Sequence, residues 1–157
     1  MFRKYEGKKT AALLTVLFTA CMLIFIALLF FVNQRVEMID VSDCDRNENG
    51  SVTYKIEETG DYFNYIYVNG YAYEPGISID SAVTIVLAHD TDTGAYYELP
   101  TENVEREDIT EERNDGCNYD YAGFKSVAYK SKLPQHYTIC ILYECNNEKI
   151  LIDTTEQ

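Results

Sequence analysis

Tyr65, Tyr67, Tyr71 and Tyr73 stand at odd positions within one short stretch, and their type and spacing suit the binding of a ligand. Period-two spacing in an extended strand puts such side chains on one face. A row of phenol rings offers flat apolar surface with a hydroxyl at each tip, which matches a stacked sugar ring. The competing reading is that the same rings pack a core and place their hydroxyls at its edge. Neither reading involves a covalent step.

A second candidate is the run 45–53, which reads DRNENGSVT. Asp45, Asn47 and Asn49 fall at the first, third and fifth places of a loop of the EF-hand or dockerin type, with Gly50 at the sixth and Val52 at the eighth. The twelfth place, where a bidentate acid belongs, is Ile56. The alternative to a calcium loop is a hairpin turn centred on Asn49-Gly50. Calcium is thus the one cofactor the sequence raises.

Cys44, Cys117, Cys140 and Cys145 are the third candidate, as disulfide partners in an oxidising compartment. Five residues of extended strand separate Cys140 from Cys145, roughly 16 Å at 3.3 Å per residue. A disulfide needs Cα atoms within about 7 Å, which disfavours that pair. Two pairings remain open: Cys44 with Cys145 and Cys117 with Cys140, or the crossed arrangement. A compartment without oxidising machinery would leave four thiols.

No other constellation suggests catalysis. His89 and His136 accompany no recognisable nucleophile motif, and the sequence contains no Gly-rich phosphate loop and no metal-spaced His/Cys set. The expectation is a protein that is not an enzyme.

Everything that must position these residues follows a single apolar run. Residues 10–32 form twenty-three consecutive uncharged residues, TAALLTVLFTACMLIFIALLFFV. At 1.5 Å per residue they make roughly 34 Å of helix, enough to cross a hydrocarbon core. Arg3, Lys4, Lys8 and Lys9 precede the run and only Arg35 closely follows it, which predicts a cytoplasmic amino terminus at the plasma membrane. The run is too long for a cleaved signal and lacks a small-residue cleavage site after it. Cys21 follows Phe18-Thr19-Ala20 as in a lipoprotein signal, but eleven more apolar residues come after it. The expected division is a cytoplasmic tail over 1–9, a membrane helix over 10–32 and an extracytoplasmic domain over 33–157. Ala11, Thr15 and Thr19 recur every four residues as a small-residue stripe suited to packing against another helix.

Charge divides at the same place. The first nine residues carry +3 and the remainder −16, which together make the net −13 of the chain. An outer part so acidic repels nucleic acid, which is not an expected partner.

Within the outer part, strand-like segments occupy 51–56, 62–73, 81–88, 95–99, 123–129, 137–145 and 149–153, rich in β-branched and aromatic residues. Asp90-Thr91-Asp92-Thr93-Gly94 and Asn146-Asn147-Glu148 read as hairpin turns, and Asn69-Gly70 as a place where the second segment could fold back. Residues 100–118, dense in charge, read as the one extended loop, with room for a helical turn. Seven short strands at this spacing predict an all-β protein: an immunoglobulin-like antiparallel β-sandwich ectodomain behind one transmembrane helix.

The motifs Val68-Asn69-Gly70-Tyr71-Ala72-Tyr73, Asp80-Ser81, Ile85-Val86-Leu87, Thr93-Gly94, Tyr97, Arg106-Glu107-Asp108-Ile109 and Ala122-Gly123-Phe124 resemble those of a β-sandwich accessory domain of Gram-positive envelope proteins associated with surface glycan synthesis. The resemblance covers about 75 residues, up to Tyr143. It implies a non-catalytic domain beside surface polysaccharide, with Arg106, Asp108, Gly123 and Phe124 in structural roles. The expected function is a membrane-anchored binding or accessory protein of the cell envelope. The alternative is a small subunit of a larger membrane complex, recognised through its transmembrane helix.

Overall fold

The computed structural model describes residues 7–33 and 35–154 and divides into two compact units, one ending at Arg35 and one beginning at Val36. The basic residues Arg3 and Lys4 lie outside the described residues.

The first unit is helix α1, Gly7–Asn33, of 27 residues. Long-chain apolar residues favour a helix here, and Leu13, Phe18, Phe25 and Phe31 all stand exposed on it. The helix is long and apolar enough to cross a membrane. The Thr15 hydroxyl donates to the Ala11 carbonyl at 3.0 Å and that of Thr19 to the Thr15 carbonyl at 2.9 Å. Both hydroxyls are thereby satisfied within the helix, and the stripe of Ala11, Thr15 and Thr19 presents small apolar surface.

The second unit is a two-sheet sandwich. Its strands are β1 (Glu37–Ile39), β2 (Asp45–Arg46), β3 (Thr53–Asp61), β4 (Tyr65–Tyr73), β5 (Ala82–Asp90), β6 (Tyr96–Glu98), β7 (Thr101–Val104), β8 (Gly123–Tyr129), β9 (Tyr137–Cys145) and β10 (Glu148–Asp153), with helix α2 (Glu107–Arg113) between β7 and β8. Six strands run β1-β6-β5-β9-β10-β2 and four run β3-β4-β8-β7. Every pairing is antiparallel except the last, where Ile150 and Leu151 of β10 lie beside Asp45 and Arg46 of β2 in parallel. That pair corrects the expectation of a purely antiparallel sandwich, and its two residues are too few to leave a period in the sequence.

The core lies between the sheets. Ile66, Val68, Phe124 and Ala128 from one sheet meet Val86, Ala88, Ile141, Tyr143 and Ile152 from the other. The six-stranded sheet is buried on its far side as well, where Leu87, Cys140, Leu142 and Leu151 form a second cluster with Ile39, Val41 and Tyr96 packed on it. Burial on both faces explains why β5 and β9 read as nearly unbroken apolar runs while β4 alternates.

Turns follow local chemistry. Asn146 and Asn147 have φ of 52° and 68°, the left-handed pair a two-residue hairpin requires between Cys145 and Glu148. In the turn from β5 to β6, the Asp90 carboxylate accepts the Thr93 hydroxyl at 2.6 Å and the Asp92 N–H at 2.9 Å. Those bonds, that of Thr93 foremost, hold the Asp90 carboxyl below the usual range. With its folded pKa depressed, the group contributes stability above its unfolded pKa and loses it as pH falls through the folded value. Melting temperatures of the wild type and Asp90→Asn should therefore differ near neutrality and converge as pH falls through the usual carboxylate range and below it. A gap unchanged by acid would show that the carboxylate charge does not hold the turn.

Residues 100–118 are not one loop. Thr101–Val104 is edge strand β7 and Glu107–Arg113 is α2. β7 is polar because two of its side chains bond the opposite sheet: the Thr101 hydroxyl accepts the Val86 N–H at 3.0 Å and the Asn103 amide oxygen accepts the Thr84 N–H at 2.9 Å. Strand β6 is too short to cover those two donors of β5. The hydroxyl of Thr84 is itself buried with no hydrogen-bond partner among the described residues. Replacing Thr84 by valine keeps the shape and removes that unmet group, so it should be neutral or stabilising by up to about 1 kcal/mol in urea unfolding. A loss above about 1 kcal/mol would mean that the hydroxyl is satisfied in solution.

Asn69-Gly70 does not turn the chain, because β4 continues through both residues with β3 and β8 paired on either side.

Candidate functional site: an aromatic sheet face

The outer face of the four-stranded sheet carries the tyrosines. Along β4 the even positions are buried against the core, while Tyr65, Tyr67, Asn69 and Tyr71 are half-buried and point outward. Neighbouring strands extend the face. Gly60 and Val127 flank Tyr67, and Tyr129 stands beside Tyr65.

The expected four-tyrosine row is divided by what covers it. At one end Ile109 of α2 packs with Tyr73, Ile79, Tyr119 and Ala122. Tyr73 is only 2 % exposed, is hydrogen-bonded by Arg113 and lies 4.6 Å from the Tyr119 ring. Tyr73 is therefore a core residue and not a ligand contact, which corrects the sequence reading. Tyr119 donates to Asp115 at 2.8 Å and accepts the Gly76 N–H at 2.7 Å, and burial pushes its pKa up to about 12.

Tyr71 is capped. The Arg106 guanidinium sits 5.5 Å from its ring centroid, held by Asp108 at 2.7 and 2.8 Å and by Glu57 at 2.6 Å. A bulge between Ile56 and Glu58 gives β3 the extra residue that brings Glu57 to this arginine. The Arg106 stem passes so near Gly123 that a Cβ there would lie 2.6 Å from Arg106 Cγ. The structural roles expected of Arg106, Asp108 and Gly123 thus have a common physical basis.

Tyr65 and Tyr67 are covered neither by α2 nor by Arg106, and the turn after β3 adds to them. Tyr62 accounts for this: its ring lies over Gly60, where a Cβ would be 2.4 Å away, and stacks on Tyr65 at 4.7 Å with 20° between planes. Phe63 at the tip of the turn is fully exposed. Lys125 Nζ lies 5.8 Å from the Tyr67 centroid and forms no ion pair among the described residues. Residues 62–64 read as strand in the sequence, so Tyr62 was not separable from the alternating run.

The calcium reading meets a direct obstacle. Both side-chain heteroatoms of Asn47 hold Val52: Oδ1 accepts the Val52 N–H at 3.0 Å and Nδ2 donates to the Val52 carbonyl at 2.9 Å. Asn47–Asn49 forms a 3-10 turn that ends on Gly50 with φ of 64°, and Asp45 belongs to β2. This segment carries the chain from one sheet to the other and is not a hairpin. Among the described residues no three His, Cys, Asp or Glu side chains converge as metal ligands.

Cys44, Cys117, Cys140 and Cys145 are free thiols. Cys140 and Cys145 share β9 but enter clusters on opposite faces of the sheet, Cys44 packs with the Cys140 cluster, and Cys117 packs beside Tyr119 and Ile109. Burial pushes the Cys140 thiol up to about 11, which keeps it protonated and unreactive near neutrality. His89 stacks on Tyr96 at 4.3 Å and His136 pairs with Asp92 at 2.9 Å.

Compared with family models, curated proteins and solved structures, the chain matches none.

Proposed function

We propose that this protein is a single-pass plasma-membrane protein whose amino terminus is cytoplasmic and whose extracytoplasmic sandwich binds surface glycan without acting as an enzyme. The observation that carries this reading is the open aromatic row of Tyr62, Tyr65 and Tyr67 on the outer sheet face. Aromatic rings left half-buried on the outer face of a sheet, while Tyr73 and Tyr119 fill the core, support a contact role. Within the sandwich class the proposed type is immunoglobulin-like. The strand orders β3-β4-β8-β7 and β10-β9-β5-β6 follow the A-B-E-D and G-F-C-C′ orders of such domains. The resemblance to envelope accessory domains points the same way.

The test is co-sedimentation of the purified chain, in detergent micelles, with intact envelope glycan, in calcium and in chelator. Saturable binding that is equal in both conditions is the expected result. Absence of binding under either condition would end the glycan reading. A second reading, an accessory subunit recognised through α1, is favoured by the flush stripe of Ala11, Thr15 and Thr19, whose hydroxyls turn back onto the helix. Scrambling residues 10–32 at constant hydrophobicity should abolish function only in that case.

A further inference from the structure

Charge on the aromatic face specifies what kind of glycan it accepts, granted that the face binds glycan at all. One row across the sheet, next to Tyr67, is formed by Glu58 on β3, Asn69 on β4, Lys125 on β8 and Glu102 on β7. Glu58, Lys125 and Glu102 are exposed, and Asn69 is half-buried. The remaining cations near the rings are Lys55, beside Tyr71, and Lys130, which is paired with Asp61. Arg106 is neutralised by Glu57 and Asp108. Lys55 and Lys125 are thus balanced by Glu58 and Glu102, and the face as a whole has no excess of positive charge. It sits on a part of the chain that carries −16.

A carboxylate- or phosphate-bearing polymer would meet two glutamates in that row and long-range repulsion on approach. A neutral sugar meets complementary groups. Its hydroxyls both donate and accept, and the row offers two carboxylate acceptors, one ammonium donor and an amide able to do both. Successive outward side chains on β4 are roughly 6.7 Å apart, so Tyr65, Tyr67 and Asn69 form a track along the strand longer than one sugar ring.

We propose that the ligand is an uncharged polysaccharide, bound along β4 with its rings on Tyr65 and Tyr67 and its hydroxyls on Glu58, Asn69, Lys125 and Glu102. This rests on the glycan-binding reading above.

The experiment separates the host's wall polysaccharide on an anion exchanger into neutral and acidic fractions and measures retention of each by the full chain in micelles, at low and high salt. Retention of the neutral fraction, little changed by salt, is expected. Glu58→Gln and Glu102→Gln should each weaken it about fivefold, since a charge-assisted acceptor becomes a neutral one. Retention of the acidic fraction, tightened by the same two substitutions and weakened by salt, would overturn the inference and leave glycan binding standing. Retention of neither fraction would remove the glycan reading together with it.

Discussion

Replacing Gly70 by alanine is expected to destabilise the sandwich by about 3 kcal/mol, the upper part of the range for overfilling a packed interior. Gly70 lies at the centre of β4, facing inward, opposite Ile56 on one side and Phe124 on the other. A Cβ there would fall 2.2 Å from the Lys55 carbonyl oxygen, 2.9 Å from Phe124 Cζ and 3.1 Å from Ile56 Cα. Two of these three atoms are backbone of the paired strand, so no rotamer change relieves the overlap. β3 must move away, or Phe124, itself fully buried, must leave its place. Alanine's conformational advantage over glycine in a strand, roughly 0.5–1 kcal/mol, works in the other direction and is too small to compensate. Gly60→Ala is the control. Its Cβ would meet an atom at 2.4 Å, but that atom belongs to the exposed Tyr62 ring, which can swing aside. Urea unfolding should show a large drop in midpoint for Gly70→Ala and a small one for Gly60→Ala. Equal effects would mean that β3 yields easily at Lys55 and that Gly70 is not there to bring two strands and a phenylalanine together.

That contrast also explains which parts of the molecule were legible in its sequence. Strands β4, β5, β8, β9 and β10 were readable because their inward residues are apolar and either alternate or run together. β7 was not readable, because Thr101 and Asn103 give their polar side chains to the Val86 and Thr84 N–H groups, and such a strand carries no hydrophobic period. β1 and β2, of three and two residues, are too short to show any period. Of the site, alternation correctly placed Tyr65, Tyr67, Tyr71 and Tyr73 on one side of β4. It could not tell that Ile109, Tyr119 and Arg113 cover one end of that side, because the cover comes from residues about 40 positions away. The spacing of Asp45, Asn47 and Asn49 is that of a calcium loop, but spacing alone does not reveal that both side-chain heteroatoms of Asn47 are engaged by Val52.

Tyr67→Ala should weaken glycan binding at least about tenfold, roughly 1.4 kcal/mol, while costing less than about 1 kcal/mol of stability. The two magnitudes separate because Tyr67 lies on the outer face beside Gly60 and Val127, where its removal opens no cavity in the core. Tyr67→Phe keeps the ring and should retain most of the affinity, which would assign the effect to stacking and not to the hydroxyl. Tyr73→Ala should behave in the opposite way. With its ring 2 % exposed among Ile79, Ile109 and Tyr119, truncation should cost about 3–5 kcal/mol. Whatever binding it loses should track the unfolded fraction. Isothermal titration and urea unfolding on the same preparations give both numbers for each variant. If Tyr67→Ala binds like the wild type, the open row is not the contact surface and exposure of these rings has some other cause. If Tyr67→Ala unfolds as readily as Tyr73→Ala, the outer face is part of the folding core, and the distinction between packing and contact tyrosines along β4 fails. Only loss of affinity with the fold intact at Tyr67, set against loss of fold at Tyr73, fits a strand whose tyrosines divide between binding and packing according to what lies above them.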